Sequence, residues 1–257
     1  MKNNMISFAK LSALMLAFLV TSKLLAQQPD AFEVGDKIPD DVFVVDASGE
    51  NRKLLDLVKP ETKVIYLLVF GGPSMSDRTH GGLWCEDSFN DLPTSNYIRL
   101  KYEDSGVEVV PVVCPPVYHE DLFAFEEDAF LKSRQNSEKY QDNFKTFVNA
   151  TKALQTLETI PFKAVFFDPR FQLMLNHKKT TVNSEYAGKK LSWLGKFKPQ
   201  DDTQTYSTPT IWLLSKDGEV LHAPFFGNRY NPTTQKIVYT VLDVERAVLE
   251  ALVKASE

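Results

Sequence analysis

The sequence predicts an α/β fold in which a central mixed sheet is flanked by helices. Residues 64–70 are seven consecutive apolar or aromatic residues, closed by two glycines, as in a strand buried on both faces. A second apolar run, 107–114, follows a helical stretch, and this order predicts a parallel βαβ unit with a right-handed crossover. Residues 206–227 contain two apolar segments around a Lys-Asp-Gly turn, which predicts an antiparallel hairpin.

The first 26 residues differ in composition from the rest of the chain. Lys2 and Lys10 precede an uncharged run at 11–22, which is too short to span a membrane comfortably and is typical of a signal peptide. An uncleaved N-terminal anchor is the alternative. We therefore expect residues 27–257 to form a single domain that is exported to the periplasm or the extracellular space.

Net charge limits the partners of this domain. The 257-residue chain has a formal charge of -5, and removal of the three lysines of residues 1–26 takes it to -8. An acidic chain without a basic run argues against binding to nucleic acid or to anionic membrane surfaces. We expect no cofactor and no membrane contact beyond the signal peptide or N-terminal anchor.

The segments before and after the central strand have recognisable signals. Residues 41–57 predict an N-terminal β-hairpin, with a turn at Ser48 and Gly49 and a second apolar segment after it. The stretch after Cys85 has an approximate helical stripe that ends at Gly106. The hairpin therefore comes before the central strand and the helix directly after it.

The second half of the chain predicts a large helical insertion and a C-terminal helix. We place insertions at about 118–160 and 170–206, with a helix starting near Ser137 in the first. Residues 163–169 predict a third buried strand, in which Asp168 and Pro169 only mark the end. Asn231 and Pro232 indicate the start of the last helix, whose apolar positions are Ile237, Val241, Val244, Val248 and Leu252.

Two cysteines, Cys85 and Cys114, follow the ends of the two predicted parallel strands. The carboxyl ends of such strands meet at one edge of the sheet, where open α/β sheets bind ligands. The pair could form a disulfide or remain reactive. Cys85 precedes a helix, whose dipole favours a thiolate, but Glu86 and Asp87 beside it disfavour one.

These residues resemble the thioredoxin-like superfamily, in particular exported redoxins related to peroxiredoxins and thiol-disulfide reductases. Trp84-Cys85 matches the start of the Trp-Cys-x-x-Cys motif, and Pro93 matches the proline of the active-site helix. Thr208-Pro209-Thr210 is similar to the family's cis-proline segment. The resemblance implies that Thr208-Pro209 packs beside the nucleophilic cysteine and positions the substrate backbone.

The chain also departs from the family's patterns. Ser88 stands where the second cysteine of the motif is expected, so no disulfide can form within the motif. The peroxiredoxin pattern Pro-x-x-x-Thr-x-x-Cys fails as well, because its proline and threonine positions hold Arg78 and Gly82. Any partner for Cys85 within this chain must therefore be Cys114.

The leading functional hypothesis is an exported thiol-disulfide oxidoreductase or antioxidant redoxin. Its catalytic residues are Cys85 and, as resolving partner, Cys114, and its substrate-binding residues are Trp84, Thr208 and Pro209. The substrate is a protein disulfide or a peroxide, and the electron donor is unknown.

Two alternatives come from different functional classes. The first is a non-catalytic thioredoxin-like binding module whose cysteines are structural. The second is a copper or zinc carrier that uses His80, Cys85, Cys114 and His119, although their spacing follows no ligand motif.

Overall fold

The computed structural model describes residues 32–40, 42–74, 79–114, 137–168, 208–227, 230–231 and 236–257. From Phe32 to Glu257 the chain forms one compact unit. The predicted signal peptide, the insertion at 170–206 and residues 118–136 of the first insertion lie outside the described residues. Within the described ranges, every helix is too short or too polar to cross a membrane.

A seven-stranded sheet forms the centre of this unit, with strand order β2-β1-β5-β4-β3-β6-β7. The described residues also contain a separate two-stranded ribbon of β8 and β9. The strands are β1 (Phe43–Val45), β2 (Asn51–Lys53), β3 (Val64–Gly71), β4 (Val107–Cys114), β5 (Phe166–Phe167), β6 (Thr210–Ser215), β7 (Val220–Phe226), β8 (Tyr230–Asn231) and β9 (Lys236–Ile237).

Strand β3 is the central strand, as predicted, and all eight of its residues are buried. It pairs in parallel with β4 over its whole length, so that Gly71 lies opposite Cys114. On its other side it pairs antiparallel with β6, where Val69 lies opposite Thr210. The sheet is therefore mixed, and the predicted βαβ unit and C-terminal hairpin are both confirmed.

The described part of the chain contains three α-helices beside the sheet: α1 (Glu86–Tyr102), α2 (Ser137–Thr156) and α3 (Val241–Lys254). Helix α1 connects β3 to β4 and is followed by a short 3-10 turn that ends at Gly106, which has a left-handed backbone with φ of 92°. An L side chain rarely adopts that conformation, so glycine is suited to this end. This helix and strand β3 together place Cys85 at the edge of the sheet.

Alternate residues of β3 divide the core between the two faces of the sheet. Side chains on one face pack against the helices. Side chains on the other face, including alternate ones of β6, pack against the N-terminal segment. The helical face includes Tyr66, Leu68, Phe70, Leu92, Ile98, Phe147 and Val244, and the other face includes Ile38, Leu54, Ile65, Leu67, Cys114 and Trp212. Period-two alternation thus puts the Cys114 side chain on the face opposite the helical core.

The N-terminal hairpin is present, but its second strand is shorter and more polar than predicted. Strand β1 pairs antiparallel with the exposed strand β2. The apolar residues Leu54–Leu57 that follow form a 3-10 turn instead of a strand. Burial of Leu54, whose backbone N–H donates to the Val42 carbonyl, accounts for the apolar pattern.

The third predicted strand, 163–169, is wrong in length. Only Phe166 and Phe167 form β5, because only these two residues pair with Val112 and Val113 of β4, and Phe167 alone pairs with Val45 of β1. The apolar sequence alone did not reveal how few residues have a neighbouring strand.

The predicted start of the last helix at Asn231 is also wrong. Asn231 belongs to β8, and Ile237 lies opposite Tyr230 in the ribbon with β9. Helix α3 begins only after Thr240, whose hydroxyl accepts from the Asp243 N–H while the Asp243 carboxylate accepts from the Thr240 N–H. This capping box satisfies two backbone donors that the helix itself leaves unpaired.

Candidate active site at the sheet edge

Cys85 is the residue that caps the N-terminus of α1. Its backbone is extended, and its sulfur accepts a hydrogen bond from the Ser88 N–H at 3.4 Å. The first N–H groups of a helix lack partners within the helix and carry partial positive charge. The sulfur therefore lies where a negative charge is stabilised, and the side chain is partly exposed.

Thr208, two residues before β6 and 123 residues away in sequence, contacts the same sulfur. The Cys85 thiol donates to the Thr208 carbonyl at 3.2 Å, and the Thr208 hydroxyl donates back to the sulfur at 3.3 Å. The Thr208-Pro209 peptide bond is cis, which is the isomer that the resemblance implied. The structure therefore brings together Cys85, Thr208 and Pro209, which the sequence could only assign by family pattern.

Ser88 occupies the place of the missing second cysteine, but its hydroxyl faces the sheet. Its oxygen accepts from the Gly71 N–H at 2.9 Å, and its side chain is completely buried. This bond satisfies a donor at the end of β3, where parallel pairing stops. Ser88 thus holds the start of α1 against β3 through its hydroxyl and supports Cys85 through its backbone N–H.

Gly71 permits the close approach of Cys85 and Trp84 to the end of the sheet. A Cβ at this position would lie 2.5 Å from the Cys85 Cβ and 2.9 Å from Trp84 Cε2, both far inside van der Waals contact. The Trp84 indole N–H then donates to the Cys114 carbonyl at 3.0 Å. The half-buried indole therefore lies over Gly71 and bridges β3 and β4.

Cys114 ends β4 at the same edge, but its environment is different. Its side chain is 2% exposed, and its thiol donates to Asp168 Oδ2 at 3.4 Å. Asp168 is fully buried, so its interpretation as only the end of a strand is corrected. The two cysteines lie on either side of Gly71, and neither is in a disulfide.

These observations decide the fold family. A βαβ unit places a Trp-Cys pair at a helix N-terminus, and the cis Thr208-Pro209 bond of the antiparallel hairpin lies against that cysteine. The fold is thioredoxin-like. As the sequence predicted, its central mixed sheet is flanked by helices, and a β-hairpin comes before the central strand in the chain.

Several solved structures are similar to this thioredoxin-like chain. A putative thiol:disulfide interchange protein DsbE from Chlorobium tepidum has 20% identity and a TM-score of 0.39, over 86% of this chain and 99% of its own. A thioredoxin family protein from Chlorobium tepidum TLS has 13% identity and a TM-score of 0.41, over 84% and 99%. The thioredoxin domain of a thiol-disulfide oxidoreductase from Bacteroides vulgatus has 11% identity and a TM-score of 0.39, over 74% and 87%. No family model and no curated protein matches the sequence.

Acidic side chains surround the first turn of α1 in this thioredoxin-like site. Burial raises the pKa of Asp87, and the nearby carboxylates of Glu86 and Asp91 raise it further, while His80 opposes them. Asp91 is itself buried and accepts from the Tyr239 hydroxyl at 2.7 Å. The helix dipole and the acids therefore act on this turn in opposite directions, as the sequence suggested.

The metal-carrier alternative gains no geometric support. Among the described residues there is no cluster of three or more His, Cys, Asp or Glu side chains suited to a metal ion. His119, one of the four ligands of that hypothesis, lies outside the described residues. His80 is instead close enough to Asp87 to affect its charge.

Sequence reasoning missed the parts played by Gly71, Ser88 and Asp168. Gly71 was interpreted as the end of a strand and Ser88 as a missing cysteine. The only sequence signal for Asp168 was an acidic residue directly after an apolar strand, at the edge where both cysteines were expected.

Proposed function

We propose that this protein is an exported thiol-disulfide oxidoreductase in which Cys85 is the nucleophile and Cys114 the resolving cysteine. One observation carries the proposal: the partly exposed Cys85 sulfur lies between the Ser88 N–H and the Thr208 hydroxyl, beside the cis Thr208-Pro209 bond. Two donors converge on one sulfur that solvent and substrate can reach. A reactive thiol requires such an environment, whereas a structural thiol does not.

The hydrogen bonds around Cys85 suit attack as a thiolate. On loss of its proton the sulfur gives up its bond to the Thr208 carbonyl and keeps the two bonds that it accepts. It attacks one sulfur of a substrate disulfide, forms a mixed disulfide and releases the other sulfur as a thiolate. Trp84, beside the nucleophile, and the backbone at Thr208-Pro209 supply the surface that holds the substrate.

Cys114 then completes the exchange. Its thiolate attacks the Cys85 sulfur of the mixed disulfide, a Cys85–Cys114 disulfide forms, and the second substrate sulfur leaves as a thiolate. A separate electron donor returns the protein to the dithiol. With a peroxide, the Cys85 thiolate attacks one oxygen and breaks the O–O bond, so that Cys85 becomes a sulfenic acid and the other oxygen leaves as an alcohol or water. The sulfenic acid then condenses with the Cys114 thiol, which forms the disulfide and releases water.

The N-terminal sequence supports export. Lysines followed by the short apolar run at 11–22 are the features of a secretory signal. The proposed site therefore acts in the periplasm or the extracellular space, where substrate disulfides persist.

Reduction of insulin disulfides by the protein, with dithiothreitol as the electron source, tests the proposal, and peroxide consumption is measured in parallel. We expect Cys85→Ser to reduce both rates to background, because the attacking sulfur is lost. The matched variant Cys114→Ser keeps the first attack and accumulates the mixed disulfide. No activity of the reduced wild type toward either substrate contradicts the proposal.

A non-catalytic binding module is the second candidate, and one contact favours it. Ser88 has no sulfur to exchange with Cys85, and its hydroxyl instead accepts a hydrogen bond from the Gly71 N–H. Alkylation of Cys85 as a function of pH separates the two functions. A thiolate that forms well below the ordinary thiol pKa of about 8.5 indicates the oxidoreductase, and one that forms at or above it indicates the module.

A further inference from the structure

The pair formed by Cys114 and Asp168 has no part in the contacts around Cys85. Both side chains are buried, with 2% and 0% exposure, and the thiol donates to the carboxylate at 3.4 Å. The Asp168 N–H donates to the Val113 carbonyl, so β5 holds the carboxylate beside the last residues of β4. Neither residue belongs to the Trp-Cys segment.

Burial limits the charge that this pair can carry. A thiolate at Cys114 beside an ionised Asp168 would place two negative charges side by side with little water to screen them. One proton shared between the two groups leaves a single charge. Transfer of the Cys114 proton to Asp168 along the existing hydrogen bond would produce a thiolate without adding a second negative charge to the pair.

The sheet edge also provides a path from Cys114 to Cys85. Cys114 lies opposite Gly71, and neighbouring strands are about 4.8 Å apart. The Cβ direction at Gly71 points at the Cys85 Cβ, and opposite residues of neighbouring strands share a face. Gly71 places no side chain between the two cysteines, and the Trp84 indole lies over this position.

We propose that Asp168 is the proton acceptor of Cys114 in the resolving step, which rests on the function proposed above. Asp168 takes the proton from the Cys114 thiol, and the resulting thiolate attacks the Cys85 sulfur of the mixed disulfide. The Cys85–Cys114 bond forms as the bond between Cys85 and the substrate sulfur breaks. The departing thiolate takes a proton from water, and Asp168 then returns its proton to solvent.

An aromatic disulfide that releases a coloured thiolate separates the two attacks. The reduced protein reacts with 5,5′-dithiobis(2-nitrobenzoate), so the attack of Cys85 releases one thiolate and the attack of Cys114 releases a second. We expect Asp168→Asn to leave the first phase unchanged and to slow the second about 100-fold at pH 7, the low end of a general base's contribution. Asp168→Glu restores part of the rate.

The pH profile distinguishes proton transfer from a structural role. Among the described residues, the titratable groups at this edge are Asp168, Cys114 and Cys85, with Glu86, Asp87, Asp91 and His80 around the start of α1. In Asp168→Asn the second phase recovers at alkaline pH, where hydroxide removes the Cys114 proton. Asp217→Asn, an exposed change in the β6–β7 turn at the opposite edge, is the control and leaves both phases unchanged.

Each outcome of this experiment supports or overturns the inference. Two phases in the wild type and a slowed, alkali-rescued second phase in Asp168→Asn support it. Equal second phases in the two proteins overturn the role of Asp168 but leave the proposed function intact. A single phase in the wild type overturns Cys114 as resolving partner, and no release at all overturns the proposed function itself.

Discussion

The two cysteines lie at one edge of the same sheet but in opposite environments. Cys85 is partly exposed, caps a helix and accepts hydrogen bonds from a backbone N–H and a hydroxyl. Cys114 is buried at a strand end and donates to a carboxylate. The same type of side chain therefore lies among hydrogen-bond donors at one position and beside an acid at the other.

This difference indicates how one site could carry out two sequential attacks. The nucleophile that meets the substrate must be reachable and stabilised as an anion before the substrate binds. In the function proposed above, the resolving thiol attacks only after a mixed disulfide has formed. The fold places the two cysteines on different elements, on either side of Gly71.

The largest expected effect comes from Gly71→Ala, which breaks the arrangement on the Cys85 side. The added Cβ would overlap Cys85 and Trp84, so the helix start must move. We expect unfolding free energy to fall by about 1–3 kcal/mol and disulfide reduction to fall about 100-fold, the order of loss expected from a misplaced reacting group.

Gly72→Ala is the matched comparison, because its Cβ would meet Val113, Phe147 and the Cys114 carbonyl but not Cys85. Urea denaturation should show similar losses of stability for both variants, and only Gly71→Ala should alter the alkylation of Cys85. A Gly71→Ala protein with wild-type alkylation and activity contradicts this description of the site.

A smaller effect is expected from Asp87→Asn, which removes one negative charge near the Cys85 sulfur. At neutral pH we expect Cys85 to react with iodoacetamide about two- to fivefold faster, which corresponds to about 0.3–1 kcal/mol for a charge near a helix terminus. As the pH falls, Asp87 becomes protonated and the difference in rate between the variant and the wild type should disappear. Because burial raises the pKa of Asp87, this should happen at a higher pH than for an ordinary aspartate.

The reactivity of Cys114, measured after denaturation of alkylated samples, should not change in Asp87→Asn. Asp217→Asn again serves as the control, since it removes an exposed carboxylate at the opposite edge. An equal change at both cysteines would show that they do not have separate electrostatic environments.

The smallest effect on the site is expected from Glu245→Gln. Glu245 lies on α3 and contacts the C-terminal end of α1, far from Cys85 at its N-terminus. Glu245 on α3 accepts from Lys101, Tyr102 and Tyr97, and these bonds lower its pKa from 4.5 to about 2. A lowered folded-state pKa stabilises the fold above about pH 4.5, and the stabilisation is lost as the pH falls toward 2.

Glu245→Gln should therefore lower the urea midpoint at pH 7, and its difference from the wild type should narrow toward pH 2. Glu250→Gln, an exposed change on the same helix, should be close to the wild type throughout. Neither variant should alter the alkylation rates of the two cysteines. A change in Cys85 alkylation would show that the far end of α1 affects the site.

Local patterns predicted much of the fold. The apolar run of β3, the βαβ unit and the C-terminal hairpin were predictable because strand periodicity and turn residues act over short distances. The start of α3 was not predictable, because Asn-Pro is only one of several helix signals. In the structure Asn231 lies in β8, and Ile237 lies in β9. The length of β5 depended on neighbouring strands that the sequence does not reveal.

For the candidate site, the sequence by itself determined which groups were available: a cysteine before a helix, a serine in place of its partner, a second cysteine at a strand end and a Thr-Pro segment. Only the tertiary structure decided what each group contacts. Thr208 lies 123 residues from Cys85, and Asp168 lies 54 residues from Cys114. Contacts over such separations depend on strand order and register, which are set by burial over the whole sheet and not by any local pattern.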